Sequence, residues 1–269
     1  MKKIISVALV GMLSCLPLLG SDIPQIIAHR GASQAAPENT IPAFELAWQQ
    51  DADAIEGDFY LTQDGEVVCT HDKTTKRVAG ANLVVSKSTL AELQELDVGS
   101  FHSEAFKGIR MPTIAEVFAT IPADKKIYVE VKSGAEIVSA LIREIEKSGL
   151  KTEQVVVISF KSEVIREFKA KAPQYQASWL CSFKQDKAGA IKPPLNQVLK
   201  TLKHIQADAI SSNKAIPQSF VEALGKQRYE WNVWTINDLA VAKQMKRRGV
   251  RSIITDAPDY IRTGLSDRL

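Results

Sequence analysis

The sequence predicts an α/β fold, a TIM (β/α)8 barrel with a small insertion after the second strand. Three observations predict it. Eight short apolar runs that read as strands alternate with helical patterns. The links between them are mostly short, which favours a parallel sheet, and a count of eight favours closure into a barrel. Four short apolar runs, three of these eight and Val67–Thr70, stop at charged groups that are costly to bury unpaired, and a barrel of this kind builds its active site from polar groups at the carboxyl ends of its strands. The runner-up, a doubly wound open sheet, would want a Gly-rich phosphate loop after the first strand. His29-Arg30-Gly31-Ala32 is no such loop.

The strand-like runs fall near 25–29, 54–60, 127–132, 155–160, 177–182, 207–211, 230–235 and 252–256. Helical patterns occupy 40–50, 113–121, 136–148, 162–171, 195–206, 218–227 and 238–248. Pro37-Glu38-Asn39-Thr40 precedes the first helix, where Thr40 or Asn39 caps it and Pro42 fits the first turn. One region breaks the alternation. Gln63-Asp64-Gly65-Glu66 is a hairpin turn signal, so 66–71 reads as the return arm of a hairpin that follows the second strand. Residues 72–112 then lack a strand-helix period, apart from a short helix over Ser88–Leu96, and read as the insertion. No internal repeat, low-complexity segment or interdomain linker is visible, so 22–269 reads as one domain.

Length and charge agree with that reading. The chain has 269 residues, 45% hydrophobic and 24% charged, an ordinary globular composition and a suitable length for one barrel. Its formal charge is +3, and Lys2 and Lys3 carry two of those charges. Without residues 1–21, which hold no acid, 32 bases face 31 acids, a net of +1. A nucleic-acid binder usually shows a basic stripe, and none is present. An anionic substrate must be met by local charge instead.

The first 21 residues read as an export signal. Lys2-Lys3 form a positive region, Ile4–Gly20 carry no charge, and small residues follow at Gly20-Ser21. The uncharged run has 17 residues and contains Pro17, short of the roughly 20 a spanning helix needs. Ser14-Cys15 after Met12-Leu13 also resembles a lipoprotein processing site, though Met12 departs from the usual Leu. The expectation is a periplasmic or secreted protein, with lipid anchoring at Cys15 as the alternative. Membrane contact is expected only if the chain is lipidated or uncleaved. Oligomeric state is not legible. Cys69 and Cys181 lie inside strand-like runs and read as two buried thiols rather than a disulfide or a zinc site.

The chemistry gathers at the strand ends. Glu56 and Asp58 are two apart on a strand, so both side chains face the same way, and the same holds for Glu130 and Lys132. Three carboxylates converging on one barrel mouth repel each other, and a hard divalent cation that prefers oxygen ligands resolves the repulsion. The competing reading is a salt-bridge network with Arg30, Arg77 and Lys132. Taken together at strand ends, the carboxylates favour metal. His29 and His71 suit acid-base work, because imidazole titrates near neutral pH. His102, in the insertion, and His204, on a helix, read as structural. Asn39 is a candidate to reach the site. Asp72 either orients His71 or ends its strand. Trp231 and Trp234 sit near the end of the seventh strand, where an aromatic either walls a ligand or fills the core.

His29-Arg30-Gly31, Pro37-Glu38-Asn39-Thr40, Glu56-x-Asp58, His71-Asp72 with Arg77 and Gly80, Pro112-Thr113, Glu130-x-Lys132 and Thr255-Asp256-x-Pro258 together resemble the glycerophosphodiester phosphodiesterase family. The resemblance runs in order from residue 25 to about 262. Each motif alone is weak, and the ordered set is specific. Phe59-Tyr60 stand where a smaller apolar residue is common, and 81–111 match little. The resemblance implies a TIM barrel with an insertion after the second strand. It implies hydrolysis of a glycerophosphodiester to glycerol 3-phosphate and an alcohol, with one divalent cation, Mg²⁺ or Ca²⁺. Carried onto this chain, the metal ligands are Glu56, Asp58 and Glu130, and the acid-base pair is His29 and His71. Arg30 and Lys132 hold the phosphate, and Trp234 lines the glycerol side. The attacker is water or a hydroxyl of the substrate's own glycerol. Two rivals use the same residues. One is a phospholipase or lysophospholipase D-like activity on lipid phosphodiesters, approached over Phe101, Phe106 or Trp179. The other is a non-catalytic phosphate-binding barrel.

Overall fold

Eight parallel strands close on themselves in the computed structural model, which describes residues 23–266. In chain order the strands are β1 (Gln25–His29), β2 (Ala54–Leu61), β3 (Val67–Cys69), β4 (Lys126–Val131), β5 (Val155–Ser159) and β6 (Gln176–Cys181). They continue with β7 (Lys184–Gln185), β8 (Ile191–Lys192), β9 (Ala209–Asn213), β10 (Glu230–Trp234) and β11 (Ser252–Thr255). The barrel order is β1-β2-β4-β5-β6-β9-β10-β11, and β11 returns to β1 with Ala28 opposite Thr255. The expected barrel is therefore the observed one. The export signal and Cys15 lie outside the described residues. Among the described residues no helix is long and apolar enough to cross a membrane.

The helices are α1 (Ile41–Gln49), α2 (Lys76–Ala79), α3 (Leu90–Gln94), α4 (Ile114–Ala119) and α5 (Val138–Ser148). After them come α6 (Ser162–Lys171), α7 (Leu195–His204), α8 (Gln218–Lys226), α9 (Leu239–Arg247) and α10 (Pro258–Ser266). Alternation along each strand sorts the side chains. On β1, Ile26 joins the layer between strands and helices, with Phe44, Leu141 and Phe168, whereas Ile27 points into the barrel beside Tyr128, Val156, Leu180 and Ile254. Below that interior layer the packing turns polar. Ser178 Oγ meets Ser211 Oγ at 2.9 Å, Asn232 donates to Ser211 at 3.2 Å, and Ser252 donates to Asn232 at 2.6 Å. Tyr128 bonds Ser252 and completes a buried belt across the barrel floor.

β2 outruns the barrel. Ala54–Phe59 pair with β4, and Phe59–Leu61 pair antiparallel with β3, the return arm of the predicted hairpin. Thr70 N then donates to Asp58 O at 2.9 Å, so the chain arrives back at the mouth just before His71. The insertion packs around its own small core of Val68, Val78, Val85, Leu93 and Met111. Its expected helix over Ser88–Leu96 is the shorter α3, opened by a capping box in which Thr89 and Glu92 satisfy each other's backbone amides.

Three elements differ from the sequence expectation. β9 lies two residues later than the expected 207–211, because its polar end, Ser212-Asn213, reads as loop although Ser212 is fully buried. The β7–β8 hairpin is exposed and only two residues per arm, too short and too charged to register as strands. α10 carries few buried apolar positions, chiefly Ile261 and Leu265, so its helical period is faint.

Candidate active site

His29 ends β1 directly opposite Glu56 of β2, which is the first step in assembling the mouth. The chain then turns sharply. Arg30 stands in the left-handed region at φ 57°, held there as its amide donates to Glu56 Oε2 at 3.0 Å. Gly31 follows at φ 82°, and a Cβ on it would lie 2.5 Å from the Ala43 carbonyl carbon. Only glycine lets α1 approach that closely. Thr40 caps α1, accepting from Ala43 N at 3.4 Å, which frees Asn39 for the site. Asn39, also left-handed at φ 58°, grips Asp58 twice. Its Nδ2 donates to Asp58 Oδ2 at 2.8 Å, and its Oδ1 accepts from Asp58 N at 3.0 Å.

Glu56, Asp58 and Glu130 meet as expected. All three are buried, and their nearest ligand oxygens lie within 4.8 Å of one another. Burial and the charges of Asp58 and Glu130 push Glu56 up to about 8. Burial and Asp58 also raise Glu130. Burial opposes ionisation of Asp58 as well, but Lys132 and Arg30 outweigh it and hold Asp58 below its ordinary value. Lys132 Nζ lies 2.8 Å from Glu130 Oε1 and 3.3 Å from Asp58 Oδ1, and Arg30 Nε lies 3.2 Å from Asp58 Oδ2. The cations therefore stand against the acids, as in the competing salt-bridge reading. They do not satisfy them: Glu56 Oε1 and Asp58 Oδ1 are buried without a hydrogen-bond partner. Buried oxygens left open inside an all-oxygen donor set fit a hard divalent cation.

Each histidine is held by its own carboxylate. His29 Nδ1 lies 2.6 Å from Asp256 Oδ1, and Asp256 also accepts from Ser33 and Asn237. Burial works against a charged His29, but the Asp256 hydrogen bond and the Glu56 charge prevail and raise its pKa. His71 Nδ1 lies 2.8 Å from Asp72 Oδ1. Burial, with Arg30 and Lys132 nearby, keeps His71 below its ordinary pKa despite Asp58 and Asp72. In both cases the outer nitrogen is engaged and Nε2 is left for the cavity.

That cavity has a volume of about 240 Å³. One half is charged, formed by His29, Arg30, Glu56, His71, Glu130 and Lys132. The other half is apolar, formed by Ile158, Phe160, Leu180, Trp234 and Ile254. Trp234 packs edge-to-face on Phe160 at 5.4 Å, and its buried Nε1 has no hydrogen-bond partner. Trp231 instead points away from the cavity and donates to Ser212 Oγ at 2.8 Å. Two larger hollows, about 370 and 430 Å³, are lined by residues such as Gln176, Asp208, Pro24 and Gln25 and hold none of the predicted site residues, whereas a third, about 390 Å³, adjoins the site on the outer side of His29 and Arg30, beside Glu38 and Asp256.

The fold and the site find their match among known proteins. The model of the glycerophosphoryl diester phosphodiesterase family matches residues 29–260. The chain belongs to that family. A glycerophosphodiester phosphodiesterase from Caldanaerobacter subterraneus subsp. tengcongensis is 34% identical over 245 residues, 88% of this chain and 95% of the relative. The structure of an Oleispira antarctica phosphodiesterase in complex with the product sn-glycerol-3-phosphate superposes with a TM-score of 0.82 at 25% identity, covering 91% of this chain and 98% of that one. A glycerophosphodiester phosphodiesterase from Thermotoga maritima shares the fold at a TM-score of 0.72 with 23% identity, covering 89% of this chain and 97% of that one. The chain is accordingly an enzyme, a phosphoric diester hydrolase, and the non-catalytic phosphate-binding barrel is set aside.

All eight predicted site residues therefore border one space or, for Asp58, its wall. His102 lies between Phe101 and Phe106 in the insertion, and His204 near the end of α7, both away from the cavity. Asp256 belongs to the motif Thr255-Asp256-x-Pro258, and its partner is His29. The signal that finds it is the one that found His29: it stands at the end of a buried strand-like run. Glu38, bonded to Arg30, has no such signal, because it sits in a turn.

Proposed function

We propose that the chain hydrolyses glycerophosphodiesters to glycerol 3-phosphate and an alcohol, with one divalent cation, Mg²⁺ or Ca²⁺, held by Glu56, Asp58 and Glu130. The observation that carries this reading is the pair of buried carboxylate oxygens on Glu56 and Asp58 without a hydrogen-bond partner, in a cluster of three acids beside a cavity lined by two carboxylate-oriented histidines. The product named in the Oleispira antarctica structure supports the choice of substrate. A cation at that place supplies charge neutralisation and a Lewis acid for a phosphoryl oxygen.

The chain's own groups do the rest. Arg30 and Lys132 turn from the carboxylates toward the non-bridging oxygens of the phosphodiester. One histidine takes a proton from the attacking oxygen at its Nε2, and the other gives a proton to the departing alcohol. Asp256 and Asp72 hold both rings so that Nε2 faces the reaction. The apolar half takes the glycerol carbons, and the open Trp234 Nε1 donates to an oxygen of the same moiety. The attacker is water or a glycerol hydroxyl. The lipid-directed alternative draws on exposed Phe160 at the cavity rim and exposed Phe101 on the insertion.

The test is turnover of glycerophosphocholine, glycerophosphoethanolamine and glycerophosphoglycerol with Mg²⁺ or Ca²⁺. Values of kcat/KM within about tenfold of one another are expected, since no charged cluster inside the cavity is positioned for one head group. Chelation abolishes turnover and either ion restores it. Full activity after exhaustive chelation rejects the cation. Activity on lysophospholipids alone favours the lipid-directed alternative. We also propose export: mass spectrometry should find the mature chain starting near residues 20–24 or tethered at Cys15.

A further inference from the structure

A chain of alternating charges runs from the cation site to His71 through the insertion. Arg30 Nε lies 3.2 Å from Asp58, and Arg30 Nη1 donates to Glu38 Oε1 at 2.9 Å. Arg77 of α2 grips both oxygens of Glu38 at 2.8 Å each. The same guanidinium donates through Nε to Asp72 Oδ2 at 2.6 Å, and Asp72 Oδ1 holds His71 at 2.8 Å. Arg77 itself does not line the cavity.

We propose that Arg77 is a positioning residue that sets Arg30 and His71 at once, so that the insertion aligns the phosphate-holding arm with one arm of the acid-base pair. This rests on the function proposed above. Only arginine offers the fork and the extra Nε donor that three simultaneous bonds require. Glu38 shares its Oε1 between Arg30 and Arg77, so the plane of one fixes the other. Asp72 has both oxygens engaged, so it cannot swing away from the ring. Anchoring the insertion is a lesser use of these bonds. The Arg77 side chain is 44% exposed, and ion pairs so exposed add little stability. The insertion already has its own core, and its backbone is tied to the barrel where Gln63 N meets Ser88 O and Cys69 N meets Pro112 O, both at 2.9 Å.

The experiment compares wild type, Arg77→Ala, Arg77→Lys and a control in the same insertion, Lys107→Ala, which removes only an exposed pair with Glu104. Turnover of glycerophosphocholine is measured at saturating Mg²⁺, with the melting temperature and the affinity for inorganic phosphate. Arg77→Ala should lower kcat about tenfold, since small misplacements of reacting groups are costly, and raise KM and the phosphate Kd about fivefold. Its melting temperature should stay within about 4 °C of wild type. Arg77→Lys should recover only part of the loss, because one ammonium cannot span Glu38 and Asp72 together. Low millimolar guanidinium should raise kcat of Arg77→Ala and leave wild type and Lys107→Ala unchanged. Wild-type kcat, KM and phosphate Kd in Arg77→Ala overturn the proposal, as does a loss that follows the folded fraction and ignores guanidinium. If wild type itself does not turn over a glycerophosphodiester, the substrate reading fails. The phosphate Kd then decides Arg77 alone, and an unchanged value overturns the proposal.

Discussion

The floor and the mouth of this barrel are both polar inside a hydrophobic wall, and they are polar in opposite ways. On the floor, Tyr128, Ser178, Ser211, Asn232 and Ser252 are neutral and bonded to one another. At the mouth the groups are ionisable, two carboxylate oxygens lack a hydrogen-bond partner, and two residues stand in the left-handed region. The floor is complete as it stands. The mouth is arranged around something else, since buried charges and open acceptors persist only where another demand holds them. Polarity in a barrel interior is therefore no sign of a site; unsatisfied charge is.

The sharpest break of that comparison is at the carboxylates. Glu56→Gln, Asp58→Asn and Glu130→Gln should each lower kcat/KM on the order of 10⁴-fold through loss of the cation. Glu56→Gln should at the same time raise the melting temperature of the ion-free protein near neutral pH, because it removes a carboxyl that the unfolded chain ionises and the fold resists ionising. If activity survives, the mouth is a salt-bridge network after all. Next come the histidines: His29→Ala or His71→Ala should cost about 10²–10⁴ in kcat, and His102→Ala or His204→Ala almost nothing.

A pH series tests the same contrast without mutation. Glu56 is raised from 4.5 to about 8 in the ion-free fold, so below pH 4.5 it is protonated both folded and unfolded and costs nothing. As pH rises toward 8 the unfolded chain gains from ionising it and the fold does not, so stability is lost across that window. Raised Glu130 and His29 act in the same direction, whereas lowered His71 opposes them. The ion-free melting temperature should therefore fall between about pH 5 and 8, and added Mg²⁺ or Ca²⁺ should stabilise most at the upper end. A flat profile rejects the crowded acids. The floor should give the smallest catalytic effect. Asn232→Leu removes one hydrogen bond each from buried Ser211 and Ser252 and should cost about 1–3 kcal/mol of stability, with kcat/KM within about threefold of wild type. Chemical denaturation beside the activity assay measures both.

The barrel and the charged half of the site were legible because one rule covers both. A buried strand run that ends in His, Glu, Asp or Lys reports its own register and its own chemistry. Lys132 and His71 each lie just past a strand end, and the rule still reaches them. It fails where polar residues are buried in the strand itself, as at Ser212, because a satisfied serine looks like loop. It is silent on the apolar wall, since Ile158, Leu180 and Ile254 are indistinguishable in sequence from core. It is silent on Glu38 and Arg77 too, whose bonds link positions 39 apart in sequence.

His29 leans on a carboxylate 227 residues away, delivered by the strand that seals the barrel against β1. Glu56, Asp58 and Glu130, by contrast, come from adjacent strands early in the chain. On the function proposed above, the cation ligands and the acid-base pair are thus completed by different stretches of the chain. A chain without β11 and Asp256 would lack the carboxylate that holds His29, so under that proposal hydrolysis would wait for the strand that closes the barrel. Activity in this enzyme is a report that the ring is whole.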